Sequence, residues 1–130
     1  MTRHLLPYLL VGIGGFLGAN ARFVVGTWAG AAFGTRFPLG TFVVNLSGCF
    51  LIGVLGTLIV ERLVARPDHV QLLLAIGFLG AYTTFSSFEF ENHALFLDGE
   101  WLMATLNIVL SVLLGLVAVR LGVLAAKAWF

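Results

Sequence analysis

Residues 77–88 place hydroxyl and aromatic side chains inside an otherwise apolar run. The stretch reads Gly-Phe-Leu-Gly-Ala-Tyr-Thr-Thr-Phe-Ser-Ser-Phe. Hydroxyl groups can donate hydrogen bonds to an anion, and the edge of a phenyl ring carries partial positive charge that can solvate one without holding it tightly. The chemistry that these residues offer is therefore the reversible replacement of an ion's hydration shell, with no covalent step.

The segment that contains this stretch, residues 70–97, is too long for one straight crossing of a membrane. As a single helix it would rise about 42 Å, against roughly 30 Å for the bilayer core. We therefore predict two half-helices with a break near residues 80–83, where Gly80 tolerates unusual backbone angles and hydroxyl residues can cap a new helix. Backbone groups freed at membrane depth must be buried in protein or line a polar cavity, so the break implies an ion site or a pore.

The two ends that meet at such a break have opposite polarity. Carbonyl groups that close the first half-helix favour a cation, whereas amides and hydroxyls that open the second half-helix favour an anion.

Composition indicates a membrane protein of a single domain, residues 1–130. Hydrophobic residues make up 60% of the chain and charged residues 10%, against about 25% in soluble domains, and the mean hydropathy is +1.05. Four apolar segments cover about residues 5–31, 39–60, 70–97 and 101–126. We predict an all-α integral membrane protein with four transmembrane helices, of which the third is broken in mid-membrane.

Several classes of function are disfavoured by the same composition. A net charge of +1 offers no basic patch for nucleic acid, and the sequence has no phosphate-binding loop, metal-ligand cluster or nucleophile–base arrangement, so we do not predict an enzyme. The three histidines, His4, His69 and His93, fall at segment ends, where solvated positions are expected. Cys49 is the only cysteine, and we expect it to be a small packing residue.

Arg22 belongs to a stripe of the first segment in which Gly14, Gly18, Arg22 and Gly26 recur every four residues. Small residues at this spacing allow a neighbouring helix to approach closely, so Arg22 should face protein and not lipid. Two interpretations stay open: an arginine that anchors a helix end, or one that attracts anions at a vestibule.

Although Arg3 and the apolar run before residues 19–21 imitate a cleavable signal peptide, we expect the segment to be retained, because its loss would leave an odd number of spans.

Asn45 lies in mid-membrane on one face of the second segment, together with Cys49, Gly53 and Gly56. Its amide should therefore project into the helix bundle. As interhelical glue it would contribute about 0.6–2 kcal/mol, and as a pore residue it would offer N–H donors to an anion. Both interpretations fit the spacing.

Phe85 and Phe88 stand three residues apart on the second half-helix and so share a face. They can be a packing pair, or they can present ring edges to an ion.

On the last segment, small and polar residues recur in steps of three and four, and Asn107 and Ser111 are its polar members.

Three motifs, in order along the chain, resemble those of the CrcB/Fluc family of small dual-topology fluoride channels. Gly15-Phe-Leu-Gly18-Ala19-Asn-Ala-Arg22 is similar to Gly-x-x-Gly-Ala-x-x-Arg. Gly40-Thr41-Phe-Val-Val-Asn45-Leu-Ser47-Gly48 is similar to Gly-Thr-x-x-Val-Asn-x-x-Gly, and Gly80 to Phe88 is similar to Gly-x-x-Thr-Thr-Phe-Ser-x-Phe. The motifs span nearly the first ninety residues.

The resemblance implies a set of site residues. Asn45, Phe85 and Phe88 would line the fluoride path, and Arg22 would sit near a pore mouth. We expect further donors from hydroxyl groups, and the candidates are Thr84, Ser87 and, by helix face and position only, Ser111.

The resemblance also implies an assembly, an antiparallel homodimer in the inner or plasma membrane. Such a dimer has two fluoride pores and a central sodium ion, which the backbone carbonyls of Gly80 and Thr83 from both chains would hold. Independently, four short helices are too few to enclose a hydrophilic pore, so a dimer is expected. Positive charges differ only weakly between the two sides of the membrane, so the positive-inside rule does not fix one orientation. One side carries Arg3, Arg62, Arg66, Arg120 and Lys127, and the other carries Arg22 and Arg36.

Three positions depart from the family's pattern. The pair Ala81-Tyr82 stands where small or aliphatic residues are usual, and Glu89 stands where a small or polar residue is usual. A carboxylate beside an anion path should repel fluoride unless it is protonated, paired or turned away. Glu91, in contrast, matches a common acidic position.

The function predicted from sequence is a passive, fluoride-selective channel that exports fluoride. One alternative is a proton-coupled exporter of the small four-helix type, which needs a membrane-embedded carboxylate, and the first two segments have none before Glu61. The other is a non-transporting membrane assembly subunit, which would explain the glycine stripes but not the hydroxyl-rich break.

Overall fold

Apolar runs long enough to cross a bilayer form four helical spans. The computed structural model describes residues 2–130, with side chains from residue 4 onward, so the side chain of Arg3 lies outside the described part. The elements are α1 (Thr2–Phe33), α2 (Leu39–Val60), α3 (Pro67–Val70), a π-helical segment (Gln71–Leu79), α4 (Gly80–Tyr82), α5 (Ser86–Leu97) and α6 (Trp101–Trp129). The candidate spans are His4–Phe33, Leu39–Val60, Pro67–Leu97 and Trp101–Trp129. The predicted all-α architecture with a broken third span is confirmed.

The spans are longer than the hydrophobic runs suggested, except for the second, which has the predicted bounds. The third begins at Pro67, whose fixed backbone angle suits the first position of a helix. The fourth continues to Trp129 because neither glycine nor proline follows residue 122 to end it. The turn before it contains Gly99 at φ +76°, a conformation that glycine adopts without strain.

The break in the third span lies at residues 83–85, so the predicted position near residues 80–83 was too early. Gly80 is helical, with φ −61° and ψ −34°, and its N–H donates to the carbonyl of Ala75. Thr83 still donates its N–H to Leu79 and then turns into an extended conformation, with ψ 158°. Glycine's conformational freedom is therefore not what breaks this helix.

Helix α1 packs backbone-to-backbone against the π-helical segment. A Cβ atom at Gly14 would overlap the carbonyl oxygen of Leu73, and one at Gly18 would overlap that of Phe78. Lipid provides no hydrophobic drive for helix association, so this close approach supplies the van der Waals contact that holds the two elements together. The prediction that the glycine stripe faces protein is confirmed.

Helix α2 packs against α6 in the same way. A Cβ at Gly53 would overlap the carbonyl of Val119, and one at Gly122 would overlap that of Phe50. A Cβ at Gly115 would lie 3.4 Å from the sulfur of Cys49, which places this cysteine at the contact of the two helices. These contacts fix where α2 carries its polar face.

We expect Gly14→Ala to lower the free energy of unfolding by about 1–3 kcal/mol, because the added methyl group must push the π-helical segment away. Gly12→Ala is the matched control, since a Cβ there meets nothing within 4 Å and alanine is the better helix former. Thermal unfolding of both variants in the same detergent would measure the difference. Equal stability of the two would contradict the close contact.

Candidate functional site at the helix break

Asn45 bridges α2 to the break with two hydrogen bonds to one residue. Its Nδ2 donates to the carbonyl of Thr84 at 2.9 Å, and its Oδ1 accepts the N–H of Thr84 at 2.8 Å. The side-chain amide thus replaces backbone partners that the interrupted helix cannot supply. The amide has a second N–H, which these bonds leave free. The interpretation of Asn45 as interhelical glue is confirmed, and its donation to an anion stays a prediction.

Thr84 and Ser87 form the cap of the second half-helix. The hydroxyl oxygen of Thr84 accepts the N–H of Ser87 at 3.2 Å, and the Thr84 hydroxyl donates to Oγ of Ser87 at 3.2 Å. Such a cap satisfies an amide that would otherwise lack a partner at a helix start. Because Ser87 Oγ accepts in this contact, its own hydrogen remains available to a further acceptor.

Phe85 and Phe88 form a pair whose members have very different surroundings. Their ring centroids lie 6.0 Å apart at 42°. Phe88 is 7% exposed and is buried in the protomer, whereas Phe85 is 75% exposed and projects away from it. Only Phe88 therefore has a packing role within one chain.

A cleft of about 370 Å³ lies beside the break, and α2, the π-helical segment and α4 form its walls. We call it the break cleft. Its lining combines the predicted cation and anion residues with small neighbours: Asn45, Gly48, Cys49, Ile52, Ala75, Leu79, Gly80, Thr83, Thr84 and Phe85. Of the predicted site residues, Ser87, Phe88, Arg22 and Ser111 do not line it. The fold thus brings five predicted residues to one cavity.

Gly80 and Thr83, whose carbonyls are predicted to hold sodium, both line the break cleft. The Thr84 N–H donates a hydrogen bond to Oδ1 of Asn45. Among the described residues, it donates no hydrogen bond to the Gly80 carbonyl. Carbonyl oxygens are hard ligands that suit a small monovalent cation. Among the described residues, no three His, Cys, Asp or Glu side chains form a metal-binding group. Carbonyl oxygens of this kind suit sodium, and its binding here stays a prediction.

Arg22 lies against the break. Its Nη1 donates to the Thr83 carbonyl, with 3.5 Å between nitrogen and oxygen. This carbonyl follows the end of the first half-helix, where the helix dipole favours positive charge. The prediction that Arg22 faces protein is confirmed, and its role at a vestibule stays a prediction.

Ser111 belongs to a second polar group, between α5 and α6. It donates to Oδ1 of Asn107 at 3.3 Å, and Nδ2 of Asn107 donates to Oδ1 of Asn92 at 2.7 Å. Asn92 was not among the residues predicted from the sequence. Its spacing of four residues from Phe88 was the available signal, because it places the amide on the face of α5 that carries the buried ring.

Two carboxylates, those of Glu89 and Glu91, lie near the break. Glu89 is exposed in the first turn of α5 and is not among the residues that line the break cleft. Glu91 accepts the hydroxyl of Thr41 at 2.7 Å through Oε1, while its buried Oε2 has no partner among the described residues. Glu91 lines a separate cleft of about 320 Å³ near Arg36.

Tyr82, the aromatic departure from the family's pattern, is accommodated by Ser47. The serine hydroxyl donates to the Val44 carbonyl, so the Tyr82 hydroxyl donates to Ser47 Oγ, at 2.9 Å. The Tyr82 ring stacks on Phe78 with centroids 5.7 Å apart. The departure therefore strengthens the contact between α2 and α4 without entering the break cleft.

Comparison with known proteins points in one direction. The family described as CrcB-like protein, Camphor Resistance (CrcB), matches residues 9–123. A relative from Solibacter usitatus, named "Fluoride-specific ion channel FluC", is 48% identical and covers 94% of this chain and 99% of its own length. A relative of the same name from Chloroflexus aurantiacus is 46% identical and covers 94% of this chain and 95% of its own length. Another, from Chlorobium phaeobacteroides, is also 46% identical and covers 99% of this chain and 99% of its own length.

Proposed function

Because this chain belongs to the CrcB family, we propose that it is a passive, fluoride-selective ion channel that exports fluoride across a membrane. The observation that carries the proposal is the break cleft. There Asn45, with an N–H that its bonds to Thr84 leave free, borders one cavity at membrane depth together with Thr84 of the helix cap and Phe85. Fluoride is small and strongly hydrated, so its path must offer donors in place of water yet bind weakly enough for release.

Fluoride permeation by this mechanism makes and breaks no covalent bond. The phenyl ring edges contribute partial positive charge, and the neutral amide and hydroxyl donors carry no full charge that would trap the anion. Arg22 holds the one full positive charge that contacts the break among the described side chains, and it is directed to the Thr83 carbonyl. The path is therefore lined by weak donors, which favours rapid exit.

A second candidate is a proton-coupled exporter. Glu91 supports it, since this half-buried carboxylate lies in the third span with one oxygen unpartnered. Membrane-embedded carboxylates commonly serve as proton relays in transporters. Against this candidate, Glu91 does not line the break cleft, and its other oxygen is held by Thr41.

We further propose that two copies assemble as an antiparallel homodimer. In one protomer the break cleft is open and Phe85 is largely exposed, yet irregular backbone is tolerated at membrane depth only where protein or water covers it. A second copy over the cleft would bury these groups. The weak charge bias supports insertion in both orientations, and we place the channel in an inner or plasma membrane.

We propose that a sodium ion lies on the dimer axis, held by the Gly80 and Thr83 carbonyls of both chains. The support is that both residues line the cleft and offer backbone carbonyl oxygens at the end of a half-helix, where the dipole is negative.

Flux through liposomes tests the function. We expect the purified channel to release fluoride at a rate that does not depend on an imposed proton gradient and exceeds its chloride rate at least tenfold. Asn45→Leu should abolish this flux, because it removes the donor to the cleft and both bonds to Thr84. Coupling to the proton gradient would favour the exporter, and wild-type flux in a dimeric Asn45→Leu variant would reduce Asn45 to glue.

Phe85→Ile and Phe88→Ile should each lower fluoride flux at least tenfold, because an aliphatic group lacks the positive ring edge. Phe96→Ile is the matched control on the same helix. Phe85 offers the cleaner test of the two, because its ring is exposed in the protomer and the substitution leaves little packing to lose. Equal flux in all three variants would mean that the aromatic residues only pack.

Exhaustive removal of sodium should lower both the dimer fraction, measured by light scattering, and the flux. Gly80→Ala should have the same effect, because a Cβ there meets nothing closer than 3.9 Å within the protomer, so only the partner chain or the ion can oppose it. Gly56→Ala, with open space around its Cβ, is the control. Full activity without sodium would contradict the central ion and leave the fluoride pores unaffected.

A further inference from the structure

Asn92 continues the polar surface of α5 beyond the break cleft. It lies one helical turn past Phe88, about 6 Å further along the axis, and it faces α6. Its Oδ1 accepts a hydrogen bond from Asn107, which in turn accepts one from Ser111. Asn92 is 3% exposed and Asn107 is 1% exposed. The two amides are therefore sealed inside the protomer, in line with the buried phenyl ring.

The Nδ2 group of Asn92 has no hydrogen-bond partner among the described residues. Buried donors are nearly always satisfied, because an amide removed from water loses its hydration without compensation. In the arrangement observed, Asn107 occupies the oxygen of Asn92 and leaves both amide hydrogens unpaired. A small acceptor that is not part of the protein would complete this site.

The neighbouring acceptor on the chain does not fill this role. Glu91 precedes Asn92, and its Oε2 also lacks a partner among the described residues. Adjacent residues of a helix do not face each other, however, and Glu91 is directed to Thr41 on α2, whereas Asn92 is directed to Asn107 on α6. The unpaired donor and the unpaired acceptor thus point into different helix contacts.

We propose that Asn92 donates its amide hydrogens to the permeating anion, as a contact point after Phe88. This inference rests on the proposed function and deepens it, since it extends the path from the break cleft into the contact between α5 and α6. A phenyl edge solvates an anion only partially, so an ion that leaves Phe88 needs a further donor before it meets water. A neutral amide supplies one without the tight binding of a full charge. The burial of Asn92, which is 3% exposed, favours an ion as small as fluoride.

Asn92→Leu tests the proposal in the full-length protein in liposomes. We expect fluoride efflux to fall at least tenfold with the dimer fraction unchanged. Asn92→Asp, which keeps the shape and replaces the donors with acceptors, should lower efflux by at least as much. Asn20→Leu is the matched control, because Asn20 is exposed and its amide bonds only to Phe16 of its own helix. Wild-type efflux in a dimeric Asn92→Leu variant would overturn the proposal.

Side-chain amide NMR of the wild-type protein gives a readout that does not depend on a variant folding well. The Asn92 resonance is identified as the amide signal that Asn92→Leu lacks. We expect it to shift saturably with sodium fluoride and not with sodium chloride, while the Asn20 amide stays constant. No shift, or equal shifts with both salts, would mean that the site holds only water. If the wild-type protein transports no fluoride, the proposed function fails; if it transports fluoride and Asn92 does not respond, only this inference fails.

Discussion

The paired hydrogen bonds between the Asn45 side chain and the Thr84 backbone are the interaction on which the rest of the site depends. In a bilayer each unpaired backbone group costs several kcal/mol, so a helix can be interrupted only where another group replaces its lost partners. Asn45 does this with one donor and one acceptor from a single side chain. The direction of α5 follows from this contact, and with it the positions of Phe88 and Asn92.

Close backbone contacts keep Asn45 in reach of the break. Glycines hold α2 against α6 and α1 against the π-helical segment, and a Cβ at Gly48 would overlap the Thr83 side chain beside the break itself. Because lipid is as apolar as the helix surfaces, such contacts and polar bonds must provide the specificity that a hydrophobic core provides in water. The site is therefore positioned by the smallest residues of the chain.

The sequence alone predicted the four spans, since their hydrophobic runs exceed the bilayer thickness, and it predicted a break, since the third run is too long. It placed the break too early because Gly80 was taken as its start, although hydroxyl residues were rightly expected to cap the new helix. Where the break forms, the Thr84 N–H is instead bonded to Asn45, a contact between residues 39 positions apart. Asn92 was missed for a related reason. Its burial depends on the turn at Gly99, which folds α6 back onto α5, and no local pattern shows which face that turn will cover.

The short break also explains how one chain can present opposite charges at the same depth. The first half-helix ends in carbonyl groups, and there Arg22 approaches Thr83. The second half-helix begins with amides, and there Thr84 caps Ser87. Because the negative end of one half-helix dipole meets the positive end of the next across these few residues, a cation is stabilised on one side and an anion on the other. An unbroken helix, whose ends lie in the headgroup regions, would offer neither polarity in mid-membrane.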